Sequence, residues 1–532
     1  MTNVTQLITE HLDIWTSAFA KKSSAGRGNS KAISLYGVAK LRELIFNLAA
    51  EGQLIEPDAK TKKTKLEDHV ELVMGQAPPG AECNKNGDGT VFVKTGAFGD
   101  LYPRVVEWTT KPLKLAVQGD VLICVVGATI GKLNLAIDCA IGRSVAAIRP
   151  RKHLETRFLY YSLMPYTLRL RGGARGSAQG VIGKAELNAV EIRVPTPAEQ
   201  QRIVAKIDEL MALCDALERQ AEDSLKAHQT LVETCLATLT NSQSPEDLTQ
   251  NWPRIEDHFD TLFTTEESVE LLRKTILQWA VMGKLCPQAS DGQTGTQIVK
   301  EVATTRAALI SRGEIRREKP VSPLVPKSVP HQLPNRWTWA KVGEIALFTQ
   351  YGTSEKARSL SDGVPVLAMG NIQRGEVTLE SEKLLPRSWH EFPALNLKPG
   401  DILYNRTNSA ELVGKTGLYE GPQDSYTFAS YLIRIRLDPN LVRPKYLNFV
   451  MNSPYFRETQ VVPHIKKQTG QANVNGTILK NMLVPVPPLK EQDAIINRIR
   501  TLHRICDDLT HSIRNQVASK RTIADCLTSQ IH

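Results

Sequence analysis

Two long stretches of this chain carry one apolar pattern. From Ala198 to Asn241 there is no proline or glycine, and Ile203, Ile207, Leu210, Cys214 and Leu217 recur at alternating intervals of four and three residues. Near the other end, Ile495, Ile499, Leu502, Cys506, Leu509 and Ile513 repeat the same spacing. That period is the seam of a coiled coil. At a rise of 1.5 Å per residue the first helix would span about 65 Å. Neither stripe can stay exposed to water, so the economical arrangement packs the two helices on each other. An antiparallel pair would put one module at each end.

The residues that open these helices are also duplicated. VPTPAEQQRIVAKIDELMALCDAL begins at Val194 and VPPLKEQDAIINRIRTLHRICDDL at Val486. At one fixed offset Pro195, Glu199, Gln200, Cys214 and Asp215 meet Pro487, Glu491, Gln492, Cys506 and Asp507. A second echo joins Leu41, Arg42, Ile45, Gly52 and Leu54 to Leu272, Arg273, Ile276, Gly283 and Leu285. In each copy a short helix is followed by glycine at its C-cap and proline beyond. A third joins Gly119-Asp120-Val121-Leu122-Ile123 to Gly400-Asp401-Ile402-Leu403-Tyr404, a turn leading into a strand.

Between these landmarks the periodicity changes to short strand-like runs punctuated by glycine and proline, among them Thr90–Lys94, Val121–Val126, Val364–Met369 and Tyr431–Arg436. The expected class is therefore α+β: an internal tandem repeat of two β-rich mixed modules joined by two long antiparallel helices. The expected boundaries are a helical region at 1–65, a first module at 66–195 and a long helix at 196–245. A repeated short helix with a proline-rich linker follows at 246–332, then a second module at 333–486 and a second long helix at 487–532. The modules share their framework and little of their detail, as expected when the variable part selects a ligand.

Composition narrows the function. The 532 residues are 41% hydrophobic and carry a net charge of +10, which suits a polyanionic partner such as DNA. No apolar run approaches the ~20 residues that span a bilayer, and the N-terminus lacks a signal-peptide layout. The eight cysteines form no CxxC pair, which argues for a reducing cytoplasm and against a disulfide framework or a metal site. Gly127–Lys132 and Leu412–Thr416 depart from the phosphate-binding loop in glycine placement and read as turns. No methyltransferase tetrapeptide, nuclease cluster or metal-ligand spacing is present, so no catalytic residue is expected, and the chain reads as non-catalytic by itself.

Two basic loops precede the long helices at equivalent places. One contains Arg171, Arg175 and Gln179, the other Lys466, Lys467 and Gln471. Cationic, amide-bearing loops can hold phosphates and approach base edges. Further candidates are Lys94, Arg104, Lys132 and Arg143 in the first module. Those of the second are Gln350, Lys356, Arg358, Asn371, Gln373, Arg374, Asn405, Arg406 and Asn408. Arginine suits guanine, while asparagine and glutamine suit adenine. Lys60–Lys65 reads as a solvated linker.

The doubled VP…P..EQ..I motif before a long helix, around two unlike β-rich modules, resembles the specificity subunit of type I restriction–modification enzymes. Leu35–Leu44, Gly75–Gly80 and Leu333–Trp339 are also similar to that family. The resemblance implies two target-recognition domains, each reading half of a bipartite DNA site, with pseudo-twofold symmetry and helices that set the gap. It implies docking of two modification (adenine methyltransferase) subunits, with restriction subunits that make the complex an ATP-dependent endonuclease. It implies that this chain binds no cofactor, S-adenosylmethionine, ATP and magnesium being used by the partner subunits. The chain departs from the family at Lys65-Leu66-Glu67-Asp68-His69, where a Trp-containing segment is expected, and its first linker is shorter than the second. Two other readings remain at this point, a stand-alone two-headed DNA-binding protein and a coiled-coil scaffold with no DNA role.

Overall fold

Two sequence-related helices open the two halves of the chain, and their ends show why glycine recurs there. In the computed structural model, which describes residues 4–21, 33–127, 129–173, 181–240, 250–323, 329, 331–468 and 471–529, helix α1 (Tyr36–Ala50) and its counterpart Glu266–Val281 each run out into a glycine. Gly52 and Gly283 both have φ of 70°, the left-handed turn that a side chain would strain. The fold is a mixture of helix and sheet, and it divides into two units. Unit one holds residues 1–226 and 514–532, and unit two holds residues 227–513.

In unit one, α1 is followed by β1 (Lys63–Lys65), β2 (Val70–Met74), β3 (Thr90–Val93), β4 (Val121–Cys124), β5 (Leu133–Leu135), β6 (Cys139–Ile141), β7 (Val145–Pro150), α2 (Thr156–Gly173), β8 (Glu191–Arg193) and the start of α3 (Pro197–Thr240). One sheet has the order β5-β4-β7-β2, all antiparallel. A second contains β3 and β6 side by side and parallel. Strand β1 pairs with β8, Lys63 lying opposite Arg193.

Unit two repeats this plan. It contains α4 (Glu266–Val281), α5 (Gly295–Ser311), β9 (Thr338–Lys341), β10 (Phe348–Tyr351), β11 (Val364–Leu367), β12 (Ile402–Asn405), β13 (Thr416–Leu418), β14 (Thr427–Phe428), β15 (Leu432–Arg436), α6 (Pro444–Met451), β16 (Leu483–Val486) and most of α7 (Leu489–Ser529). The sheet order β10-β15-β12-β13 matches that of unit one, and β11 and β14 are again parallel. Strand β9 pairs with β16, with Trp339 opposite Pro485.

That register corrects one expectation. Arg193 and Pro485 are equivalent, so Lys63 is the counterpart of Trp339 and Thr61 that of Trp337. The segment Lys65–His69 is not where the missing tryptophans belong. The opening strand forms without them, because its backbone pairing does not depend on an indole.

The duplicated motifs prove to be polar clamps. Gly119 and Gly400, with φ of 103° and 94°, turn the chain so that the following aspartate caps it. Asp120 accepts from Val117 N and, at 2.9 Å each, from Nε and Nη2 of Arg149. Asp401 accepts from Lys398 N and from Nε and Nη2 of Arg436 at 2.7 and 2.6 Å. Both carboxylates are buried, so a two-pronged guanidinium is the partner that satisfies them.

The EQ of each long helix works similarly. Gln200, fully buried, accepts from Glu155 N and donates to the carbonyls of His153 and Pro195. Gln492, fully buried, accepts from Arg443 N and donates to the carbonyl of Pro487. Glu491 accepts from Ala289 N and from the Trp337 indole. Further along each long helix Arg42 meets Asp215 at 2.5 Å and Arg273 meets Asp507 at 2.7 Å, tying each short helix to its long one.

The heptad stripes are used differently from the simple expectation. Ile203, Ile207, Leu210, Cys214 and Leu217 lie in the core of unit one with Leu41, Leu44, Ile45 and Leu48 of α1 and Leu159 of α2. Ala524 and Leu527, from the end of α7, join that core. In unit two, Ile495, Ile499 and Cys506 are buried, with Leu502, Leu509 and Ile513 half-buried, in a core that includes Ile276 and Leu277 of α4. Val232, Leu236 and Leu239 from the end of α3 join them. The near half of each long stripe thus serves its own module and short helix.

Candidate nucleic-acid interface

In the first module the sequence-predicted cations gather at one turn. The chain leaves β3 into a tight helical turn, Thr95–Ala97. Lys94 precedes it, paired with Glu107 at 2.6 Å and set against the Phe92 ring. Arg104 donates to Gly96 O, and Lys132 Nζ donates to Phe98 O at 3.0 Å. Gly142, next to the exposed Arg143, donates its N–H to Val93 O. All four cations therefore border one loop. Its tip also exposes Leu101, Tyr102, Val105 and Val106, which polar-residue reasoning did not single out.

The candidates of the second module separate into two kinds. Some are internal to the fold. Asn371 caps its own turn, accepting from Ala368 N and donating to the carbonyls of Thr378 and Glu380. The Gln350 amide oxygen accepts from Arg434, which is buried between the Phe348 and Phe428 rings. Burial holds that guanidinium down to about 10. Asn405, expected at the surface, is 2% exposed because it lies on a central strand. Others face solvent: Lys356, Arg358, Gln373 and Arg374 are exposed. Arg374 has φ of 51° at the tip of a tight hairpin, a conformation uncommon outside glycine.

A second cluster forms beyond the end of β12. Arg406 stacks over Tyr351 at 5.0 Å and donates to Ser430 O. Tyr351 accepts from Gly476 N through its hydroxyl. Tyr351 and Tyr431 are 44% and 47% exposed, and Arg406 N donates to Tyr431 O, so an aromatic face lies against the guanidinium and a second exposed tyrosine pairs with its backbone. Asn408, whose side chain accepts from Ser409 N, lies on the strand Thr407–Asn408, which pairs with Gln471–Asn473; this in turn pairs with Lys466–Gln468. The second basic loop is thus a β-ribbon laid beside Arg406 and Asn408. The side chains of Lys466, Lys467, Gln471 and Arg171, and the residues Arg175 and Gln179, lie outside the described ones. Lys415 is nearby in sequence, its ammonium held below the usual lysine range by burial, then by Arg457 and Lys274.

The first module has the same framework with other side chains. Register alignment makes Cys124, Val125 and Val126 the counterparts of Asn405, Arg406 and Thr407. The bridge Val126 to Val181 matches Thr407 to Asn473. The ends of these central strands are therefore apolar in one module, where Val125 is buried, and polar, cationic and aromatic in the other. No group of three or more possible metal ligands occurs among the described residues, and none of the described helices is long and apolar enough to cross a membrane.

Comparison with known proteins gives one consistent family. The family described as "Type I restriction modification DNA specificity domain" matches residues 59–227 and 334–519, more than half of the chain. The type I restriction enzyme EcoEI specificity subunit of Escherichia coli is 30% identical over 587 aligned positions, covering 99% of each chain. The EcoAI specificity subunit of the same species is 29% identical over 99% of each. Among solved structures, the HsdS subunit from Thermoanaerobacter tengcongensis is 30% identical over 42% of this chain and 53% of its own, with a TM-score of 0.31.

Proposed function

The chain belongs to the type I restriction–modification DNA specificity family, and from that premise we propose that its two units read the two halves of one bipartite DNA site. Its role is to give such a system its DNA sequence specificity. The observation that carries the two-site reading is the pairing of a conserved framework with divergent chemistry. At the matching strand end one unit carries the buried Val125 and the half-buried Val126, and the other carries the half-buried Arg406 and Thr407. Two readers built alike but lined differently would contact different base steps.

Phosphate contacts supply salt-sensitive affinity, and base-edge contacts supply discrimination. The exposed cations Arg143, Lys356, Arg358 and Arg374 suit the first task, with Lys94, Arg104 and Lys132 beside them in the first unit. Arg406, stacked over the exposed Tyr351, suits the second. Helices α3 and α7 act as an antiparallel spacer, as suggested by the burial of Ala524, with the half-buried Leu527, in the core that contains α1 and of Leu236 and Leu239 in the core that contains α4. The chain itself carries out no chemistry. Two modification subunits dock on it and methylate adenine with S-adenosylmethionine, the adenine being flipped into their pocket. Restriction subunits add the ATP- and magnesium-dependent cleavage.

The test is selection of duplexes from a random pool by this chain assembled with its methyltransferase. The expected product is two short fixed sequences separated by a constant unspecified gap. A single continuous motif bound by the chain alone would favour a stand-alone repressor-like protein, and no enrichment would overturn the DNA reading.

A further inference from the structure

The register that equates Lys63 with Trp339 identifies a vacancy. In unit two the Trp339 indole is 8% exposed, stacks on Tyr455 at 6.4 Å and lies edge-on to His331. Its N–H donates to His331 O at 3.0 Å. In unit one every part of that nest has a counterpart except the indole and the linker residue that covers it. The sequence Met164-Pro165-Tyr166 matches Ser453-Pro454-Tyr455, Asn47 matches Gln278, and Arg193 matches Pro485.

Lys63, Pro165, Tyr166, Asn47, Glu51 and Arg193 line an open cavity of about 370 Å³. Lys63 does not fill it, because its ammonium reaches Glu51 at 2.7 Å and its side chain is 40% exposed. Arg193 donates Nη1 to Thr61 O, and its Nε is buried without a hydrogen-bond partner among the described residues.

We propose that this cavity is a binding site for a neutral, planar heteroaromatic molecule of indole size. The shape argument comes from unit two, where the same framework closes on an indole. The charge argument comes from the lining, where Glu51 and Glu191 balance Lys63 and Arg193, so neither an anion nor a cation is favoured overall. Tyr166 offers a ring to stack on, while the Glu51 carboxylate and Asn47 amide offer acceptors for a ring N–H. Stacking of this kind favours offset or edge-on rings. The ligand would occupy the junction between α1, α2 and the opening strand pair of the first module.

The experiment uses the full-length chain and a fluorinated indole followed by fluorine NMR. The expected result is saturable line broadening. K63W, which supplies the missing ring from the chain itself, abolishes it and raises Tm by about 2–4 °C. Y166A, checked for native circular dichroism, weakens binding by ~10-fold or more. Absence of saturable broadening, or broadening that persists unchanged in K63W, would overturn the proposal. Neither result bears on whether the chain reads DNA, since the selection experiment is run without the ligand.

Discussion

Replacing Gln492 by leucine isolates what the duplicated EQ motif is for. The side chain is fully buried, and its two ends are committed to Arg443 N at 2.8 Å and Pro487 O at 3.0 Å. Leucine has nearly the same volume, so little cavity is created and the transfer of apolar surface is slightly favourable. Two main-chain groups lose their partner in a place water does not easily reach. Each such loss costs about 1–3 kcal/mol, so Q492L should cost roughly 2–4 kcal/mol after the apolar gain. For a unit of this size that corresponds to a Tm lowered by about 5–10 °C. Q200L removes three hydrogen bonds and should cost somewhat more. The assay is thermal and urea unfolding of the purified chain, with duplex selection by the assembled complex as control. A Tm within about 1 °C of the parent, together with an altered selected sequence, would refute the clamp and make Gln492 a reader of DNA.

Three further outcomes follow from the same geometry. One heptad inserted into both α3 and α7 adds about 10 Å at 1.5 Å per residue; at 3.4 Å per base pair the gap should lengthen by about three base pairs with both half-sites unchanged, as read by duplex selection. The double variant K356A R358A should weaken binding uniformly across sequences and reduce the slope of log affinity against log salt by about 1.8, at roughly 0.9 per phosphate contact; fluorescence anisotropy titrations measure it, and an unchanged slope removes both residues from the interface. His503, held below its usual range by burial and then by Arg273, binds its proton more weakly folded than unfolded. Its contribution to stability is therefore retained above the ordinary histidine pKa of about 6.5 and lost as pH falls from there towards the folded-state value. Urea unfolding at about pH 7 and pH 5 should show unit two losing stability, with H503Q showing less of that loss.

What could be read from the sequence depended on whether the signal was local. The helix stripes, the glycine-ended short helices and the turn at Gly119 and Gly400 are local patterns, and each appears at the expected residues. Arg149 and Arg436, which complete the Asp120 and Asp401 clamps, stand 29 and 35 positions away and carry no mark that separates them from solvent arginines. Gln200 and Gln492 stand out as repeated residues, but their role depends on which carbonyls the loop before each helix brings near. The stripes gave burial without naming the partner, since a heptad seam looks alike whether α1 or another long helix covers it. Asn405 and Gln350 suit base contacts by residue type alone, because residue type does not reveal which face of a strand is covered. Tyr351 and Tyr431 carry no polar signal in the sequence for the converse reason, aromatic residues being ordinarily assigned to the core.

The most direct measurement is a map of methylated adenine in a methylation-free host carrying the neighbouring methyltransferase, with and without this chain. The account predicts a new two-part motif with a fixed gap, present only when the chain is expressed. Methylation that is unchanged by the chain, from a soluble complex with a competent methyltransferase, would contradict it.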